Sequence, residues 1–169
     1  MLKRLGLLLI ICTLAGNVLA GTADNDYTLY LVRHAEKQAD SSRDPALTET
    51  GKERSQKLAN WFRDKTITDI WSSDYVRTRD TAGPSASQLG LQLNIYDPAN
   101  QSVLVRQLSE RRHNALIVGH SNTIPELARL LCNCSIADME ESEYERMIVI
   151  TISKGETRVE TLMQSRLMP

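Results

Sequence analysis

Ala115-Leu116-Ile117-Val118-Gly119 is an unbroken apolar run that stops at His120. An extended chain sends successive side chains to opposite faces, so a strand without polar alternation needs cover on both sides. The rest of the sequence supplies that cover, because strand-like runs alternate with helical patterns. The segment Tyr27-Thr28-Leu29-Tyr30-Leu31-Val32 is β-rich and stops at Arg33-His34. Ile67 to Trp71 ends in Ser72-Ser73, and Leu91 to Tyr96 ends at Asp97. Between these lie helical segments over Thr48 to Arg63, Val76 to Leu89 and Asn100 to Arg112. The first has Thr48 or Thr50 as its cap, and the second must absorb Gly83-Pro84 as a kink or within its first turn. The third turns Val103, Leu104 and Leu108 inward. Asn122 caps a further helix through Leu131, with Pro125 in its first turn, where a missing N–H costs little. Met147 to Ile152 and Thr157 to Leu162, joined around Lys154-Gly155, read as a closing hairpin. The expected fold is a three-layer α/β/α sandwich with a mostly parallel central sheet, in one domain over residues 21–169.

Residues 1–20 form a separate object. Lys3 and Arg4 precede the apolar run Leu5 to Ala15, and Val18-Leu19-Ala20 supplies small residues before a cut after Ala20. This is the pattern of a secretory signal peptide, and the apolar run is short of the ~20 residues of a spanning helix. The expected location is periplasmic or secreted, with no stable membrane association after cleavage. Cys132 and Cys134 then remain in the mature chain, in an oxidising compartment. A disulfide between them closes a very small ring, whereas two free thiols two apart would face opposite sides of an extended segment. A metal site is the weakest reading, because no further Cys or His cluster lies nearby in sequence.

The 169 residues carry 20 basic and 21 acidic side chains, and aromatics make up 5%. A balance so close to neutral lacks the basic footprint of a nucleic-acid binder. The informative polar residues instead cluster after the strands: Arg33-His34, Ser72-Ser73 leading to Arg77, and Gly119-His120. In open α/β sheets ligands bind beyond the carboxyl ends of the strands, so these clusters are expected to converge on one mouth. Two arginines and two histidines there make a cationic cup suited to a tetrahedral dianion, since guanidinium groups bind phosphate oxygens in bidentate fashion.

Four ordered motifs carry a family resemblance. They are Leu31-Val32-Arg33-His34-Ala35-Glu36, Leu47-Thr48-Glu49-Thr50-Gly51, Ser72 through Ala82, and Val118-Gly119-His120-Ser121-Asn122. Together they resemble the histidine phosphatase superfamily, which includes phosphoglycerate mutases and small phosphohistidine phosphatases. The resemblance spans about Tyr27 to Leu131. It implies a phosphoglycerate mutase-like fold and metal-independent phosphoryl transfer without a cofactor. It also implies that His34 attacks phosphorus while Arg33, Arg77 and His120 hold the phosphoryl oxygens. The expected partner is a small phosphorylated substrate or a phosphopeptide. The chemistry is consistent with the residue types, because a neutral imidazole is nucleophilic and a covalent intermediate splits one hard displacement into two easier ones.

A leaving alkoxide also wants a proton donor. Glu36 and Asp97 are the weak candidates, and Ser121 stands where acid phosphatases of this superfamily carry an aspartate. Arg79 and His113 read as solvated. Gly119-His120-Ser121-Asn122-Thr123 resembles a serine-hydrolase elbow, but its fifth residue is not Gly and no histidine follows Ser121, as that triad order requires. A non-catalytic phosphate-ligand binding protein and a phosphomutase are the remaining alternatives. Mutase activity is disfavoured by a chain too short for insertions that would enclose a sugar phosphate.

Overall fold

The structure is a computed structural model and describes residues 26–168; the proposed signal segment lies outside them. Six strands form one sheet: β1 (Tyr27–Arg33), β2 (Asp69–Ser73), β3 (Leu93–Tyr96), β4 (Ala115–Gly119), β5 (Arg146–Ser153) and β6 (Glu156–Met163). Their spatial order is β3-β2-β4-β1-β5-β6. Pairings among β3, β2, β4 and β1 are parallel, whereas β5 joins β1 and β6 joins β5 antiparallel. The sheet is therefore mixed, and its parallel half carries the motif strands.

The helices are α1 (Glu49–Phe62), α2 (Val76–Leu89), α3 (Gln101–Arg111), α4 (Thr123–Cys132) and the short α5 (Gln164–Leu167). Two separate cores follow from strand alternation. On one face Leu29, Leu31, Ile117, Ile148 and Ile150 pack with Leu104 and Leu108 of α3 and Ile124 and Leu127 of α4. On the other, Val32, Ile70, Leu116 and Val118 pack with Leu58 and Phe62 of α1 and Ala82 and Ala86 of α2. The central run Ala115 to Val118 is fully buried and contributes to both cores, as its composition requires. Among the described residues no helix is long and apolar enough to cross a membrane.

Local chemistry explains the element ends. The Thr48 hydroxyl accepts from the Gly51 amide at 3.1 Å and caps α1. Pro84 lies within α2 rather than in its first turn, and α2 ends on Gly90 in the left-handed conformation. Asn122 occupies the cap position of α4, but its side chain makes no capping bond. Thr123 acts locally instead, its hydroxyl accepting from the His120 amide at 3.0 Å. The β5–β6 turn puts Lys154 and Gly155 at positive φ, matching the right-handed twist of a tight hairpin. Cys132 and Cys134, left open by the sequence, are joined as a disulfide at the end of α4.

Candidate active site

The carboxyl ends of β1, β2 and β4 lie side by side in register, with Arg33 opposite Gly119 and Ser72 opposite Val118. This brings His34, Arg77 and His120 to one cavity of about 370 Å³, which Lys37, Ser121 and Glu141 also line. The rings of His34 and His120 stand edge to face with centroids 5.5 Å apart.

Backbone bonds fix the nucleophile candidate. The His34 amide donates to the Gly119 carbonyl at 2.9 Å. The next amide, Ala35, donates to the Thr81 hydroxyl at 2.9 Å, and that hydroxyl donates to the Arg77 carbonyl at 2.7 Å. One threonine thus ties the end of β1 to the helix that carries Arg77. Nδ1 of His34 lies 2.8 Å from the Ala35 carbonyl. A carbonyl only accepts, so Nδ1 carries the proton and Nε2 keeps the lone pair. Burial, with the Arg33, His120 and Arg77 charges adding to it, lowers the His34 pKa to about 3. Its imidazole is neutral at physiological pH.

His120 obeys the same logic. Arg77 Nη2 lies 3.4 Å from His120 Nδ1, and a guanidinium can only donate. Nε2 therefore carries the proton and donates to the Ser73 hydroxyl at 2.9 Å, which passes its own to Thr78 at 3.1 Å. Burial first, then Arg77 and Arg33, lower the His120 pKa to about 4. Arg77 itself is held by Asp44 at 3.2 Å and lies over the Tyr75 ring at 4.3 Å. Asp44 also accepts from the Val76 amide at 2.9 Å, so a single carboxylate anchors both the guanidinium and the first turn of α2. Nε of Arg77 is buried, and no protein atom accepts its proton.

Arg33 acts on both histidines through its charge, but its side chain is held by neighbouring backbone and does not line the cavity. Its side chain is 1% exposed, and Nη1 donates to the carbonyls of Glu140, Glu141 and Glu143 at 3.1, 2.7 and 3.1 Å. Nη2 donates to the Glu141 carboxylate at 3.0 Å, and the guanidinium lies over the Tyr144 ring at 4.1 Å. Arg33 therefore touches the cavity wall through Glu141 and does not itself line it.

The two carboxylates considered as proton donors are turned away. Glu36 takes three hydrogen bonds from Arg54, at 2.6 to 3.0 Å, and burial, which opposes ionisation, is outweighed by them, leaving its pKa lowered. Asp97 is exposed and accepts from the Ala99 amide at 2.9 Å. The carboxylate that does line the cavity is Glu141, which sequence reasoning missed. It accepts from the Ser121 hydroxyl, and that bond, opposed by partial burial and reinforced by Arg33, keeps its carboxyl below the usual range.

Residues 29–98 match the model of the histidine phosphatase superfamily, branch 1. The similarity to the histidine phosphatase superfamily thus rests on the segment that carries the Arg33-His34 and Ser72 to Ala82 motifs. Probable phosphoglycerate mutases GpmB of Erwinia tasmaniensis and Photorhabdus laumondii are each 33% identical over 94 residues, covering 52% of this chain and 43% of theirs. The chain thus spans less than half the length of those curated relatives. Among solved structures, the protein histidine phosphatase SixA complexed with tungstate superposes with a TM-score of 0.67 at 18% identity, covering 83% of this chain and 99% of that one. A mycobacterial glucosyl-3-phosphoglycerate phosphatase gives 0.69 at 14% identity, covering 82% and 99%. A Bacillus anthracis phosphoglycerate mutase gives 0.68 at 18%, covering 85% and 96%. These structures share the phosphoglycerate mutase-like fold with this chain.

Proposed function

We propose that this protein is a phosphatase of that superfamily and hydrolyses a phosphomonoester or related phosphoryl compound through a phosphohistidine on His34. The observation that carries the reading is the tautomer of His34, whose Nδ1 proton is committed to the Ala35 carbonyl, leaving the lone pair on Nε2 of a ring that lines a cavity with Arg77 and His120. In the first step the Nε2 lone pair forms a bond to phosphorus as the bond to the leaving oxygen breaks, and the leaving group departs with that electron pair. Water then attacks the phosphohistidine, releasing phosphate and restoring the imidazole. Phosphoryl transfer depends chiefly on positioning and fixed positive charge. Arg77, which lines the cavity with its charge held in place by Asp44, supplies both. His120 steadies that guanidinium by accepting at Nδ1. The start of α4, where Asn122 and Thr123 line the cavity beside Ser121, adds the favourable end of a helix dipole.

Export belongs to the same reading. The Lys3-Arg4 and Leu5 to Ala15 pattern supports it, as does a disulfide between the two cysteines of the mature chain. N-terminal sequencing of the fractionated protein is expected to find Gly21 first outside the cytoplasm, and an intact Met1 in the cytoplasm counts against it.

The mechanism is tested by quenching during turnover of p-nitrophenyl phosphate. An acid-labile, base-stable phosphoryl group is expected on the peptide containing His34, and His34→Ala is expected to lose both label and turnover. Retained turnover in that variant, or a label on Ser121, overturns the assignment.

A further inference from the structure

We propose that Glu141 is a specificity-determining residue that selects substrates by the charge of the group next to their phosphoryl moiety, favouring a protonated amine and rejecting a second anion. The proposal rests on the phosphatase reading for the phosphoryl site and adds the substrate class.

The position of this carboxylate is built into the fold. It comes from the segment between α4 and β5, which has no helix or strand of its own between residues 134 and 145. That backbone is nonetheless pinned from two sides. Arg33 takes the carbonyls of Glu140, Glu141 and Glu143, and Arg146 takes those of Ala137 and Asp138. A buried arginine with three carbonyl partners fixes the main chain, so the Glu141 side chain starts from a defined place at the cavity wall. There its two oxygens take one donor each, Oε2 from Arg33 and Oε1 from the Ser121 hydroxyl.

Two consequences for a ligand follow. Ser121 lines the phosphoryl site with Arg33 behind Glu141, and Glu141 occupies the Ser121 donor that an incoming anion would otherwise use. The side chain is also 77% exposed, so it can swing outward at little packing cost and remain a negative charge at the mouth. A ligand with a single dianionic phosphoryl group meets Arg77 and the α4 terminus and displaces the carboxylate locally. A second anion beside the phosphoryl group faces the Glu141 carboxylate and is repelled by it, whereas an amine in that place pairs with it. Lys37 lines the same cavity and lies close enough to Glu141 to interact electrostatically. Its charge moderates the preference but sits on a separate, half-exposed side chain.

Two phosphomonoesters of similar size test this: O-phosphoethanolamine, with an ammonium two carbons from the ester oxygen, and phosphoglycolate, with a carboxylate. Their dissociation constants are measured by calorimetry on His34→Ala protein, where binding is read without turnover, and again with Glu141→Gln and Glu141→Lys added. The expected result is at least about tenfold tighter binding of the amine in the parent, about 1.4 kcal/mol. Near-equal binding is expected with Gln and the reverse preference with Lys. A preference that is unchanged by both substitutions, or failure of O-phosphoethanolamine to bind while tungstate still does, overturns the proposal. Turnover is read separately in the His34-intact protein. If kcat for both alkyl esters collapses in Glu141→Gln while p-nitrophenyl phosphate is spared, Glu141 is a proton donor and the specificity role is wrong. Charge-dependent binding without any turnover retains the selection and refutes the phosphatase reading.

Discussion

Gly51 lies so close to Glu36 that a Cβ at this glycine would stand 2.3 Å from the Glu36 carbonyl oxygen and 3.0 Å from its amide nitrogen. The Thr48 amide donates to that same carbonyl at 2.9 Å, so the first turn of α1 is laid directly on the backbone two residues past His34. This contact gives the Leu47-Thr48-Glu49-Thr50-Gly51 motif its physical reason. The glycine is there for close approach, not for an unusual backbone angle.

Gly51→Ala is therefore expected to destabilise the protein. Alanine favours a helix interior over glycine by about 1 kcal/mol, but the clash is with backbone and cannot be relieved by a rotamer change. A net loss of about 1–3 kcal/mol by denaturant unfolding is the expected outcome, together with a fall in kcat as the His34 segment shifts. An unchanged or raised midpoint would show that α1 can move away freely.

Arg77→Ala is expected to slow kcat by ~10²–10⁴-fold, since it removes charge and a donor that act mainly on the transition state. Arg77→Lys should recover only part of this, because an ammonium cannot reach Asp44, His120 and a phosphoryl oxygen together as a planar fork does. Full recovery by lysine in steady-state kinetics would mean that charge alone matters here.

The two site histidines shape stability as well as chemistry. His34 has an ordinary pKa of 6.5 when exposed and about 3 in the folded protein, and His120 falls to about 4. Between those values the unfolded chain binds protons that the folded one does not, so stability is lost as pH falls through 6.5 toward 3. Each histidine contributes a slope of up to about 1.4 kcal/mol per pH unit. Urea unfolding between pH 6 and pH 4.5 is expected to show a shallower pH dependence in His34→Asn than in the parent. Identical slopes would place a proton on His34 in the folded state at acid pH.

Much of this arrangement is legible in the sequence, and the parts that are not share a cause. Ala115 to Gly119 announces a strand buried on both faces, and Val76 to Leu89 forms the helix its pattern suggests, with Pro84 accommodated inside it. His34, Arg77 and His120 meet because strand ends in a parallel sheet meet. Arg33 follows a different rule. Adjacent residues at a strand end point to opposite sides, and that period of two, visible in the sequence, separates its guanidinium from the His34 ring. Glu141 and Tyr144 carry no such signal. They belong to a stretch without periodicity, placed by the pairing of β5 with β1 and by the carbonyls that Arg33 and Arg146 gather. Glu36 misleads for a related reason: proximity to the nucleophile along the chain says nothing of Arg54, one helix away, which claims its carboxylate.

β1, the strand that leads to His34, lies between β4 and β5, with Leu29 paired to both Ala115 and Ile150. Both neighbours are far along the chain, so the earliest strand of the sheet stays unpaired until most of the polypeptide is available. The position of His34 thus depends on long-range pairings, whose loop-closure entropy slows the folding of such topologies. Any fragment ending before Glu140 would expose the hydrogen-bonding edge of β1 and bury the Arg33 charge without its carbonyls, which makes it a substrate for aggregation or proteolysis rather than a smaller enzyme.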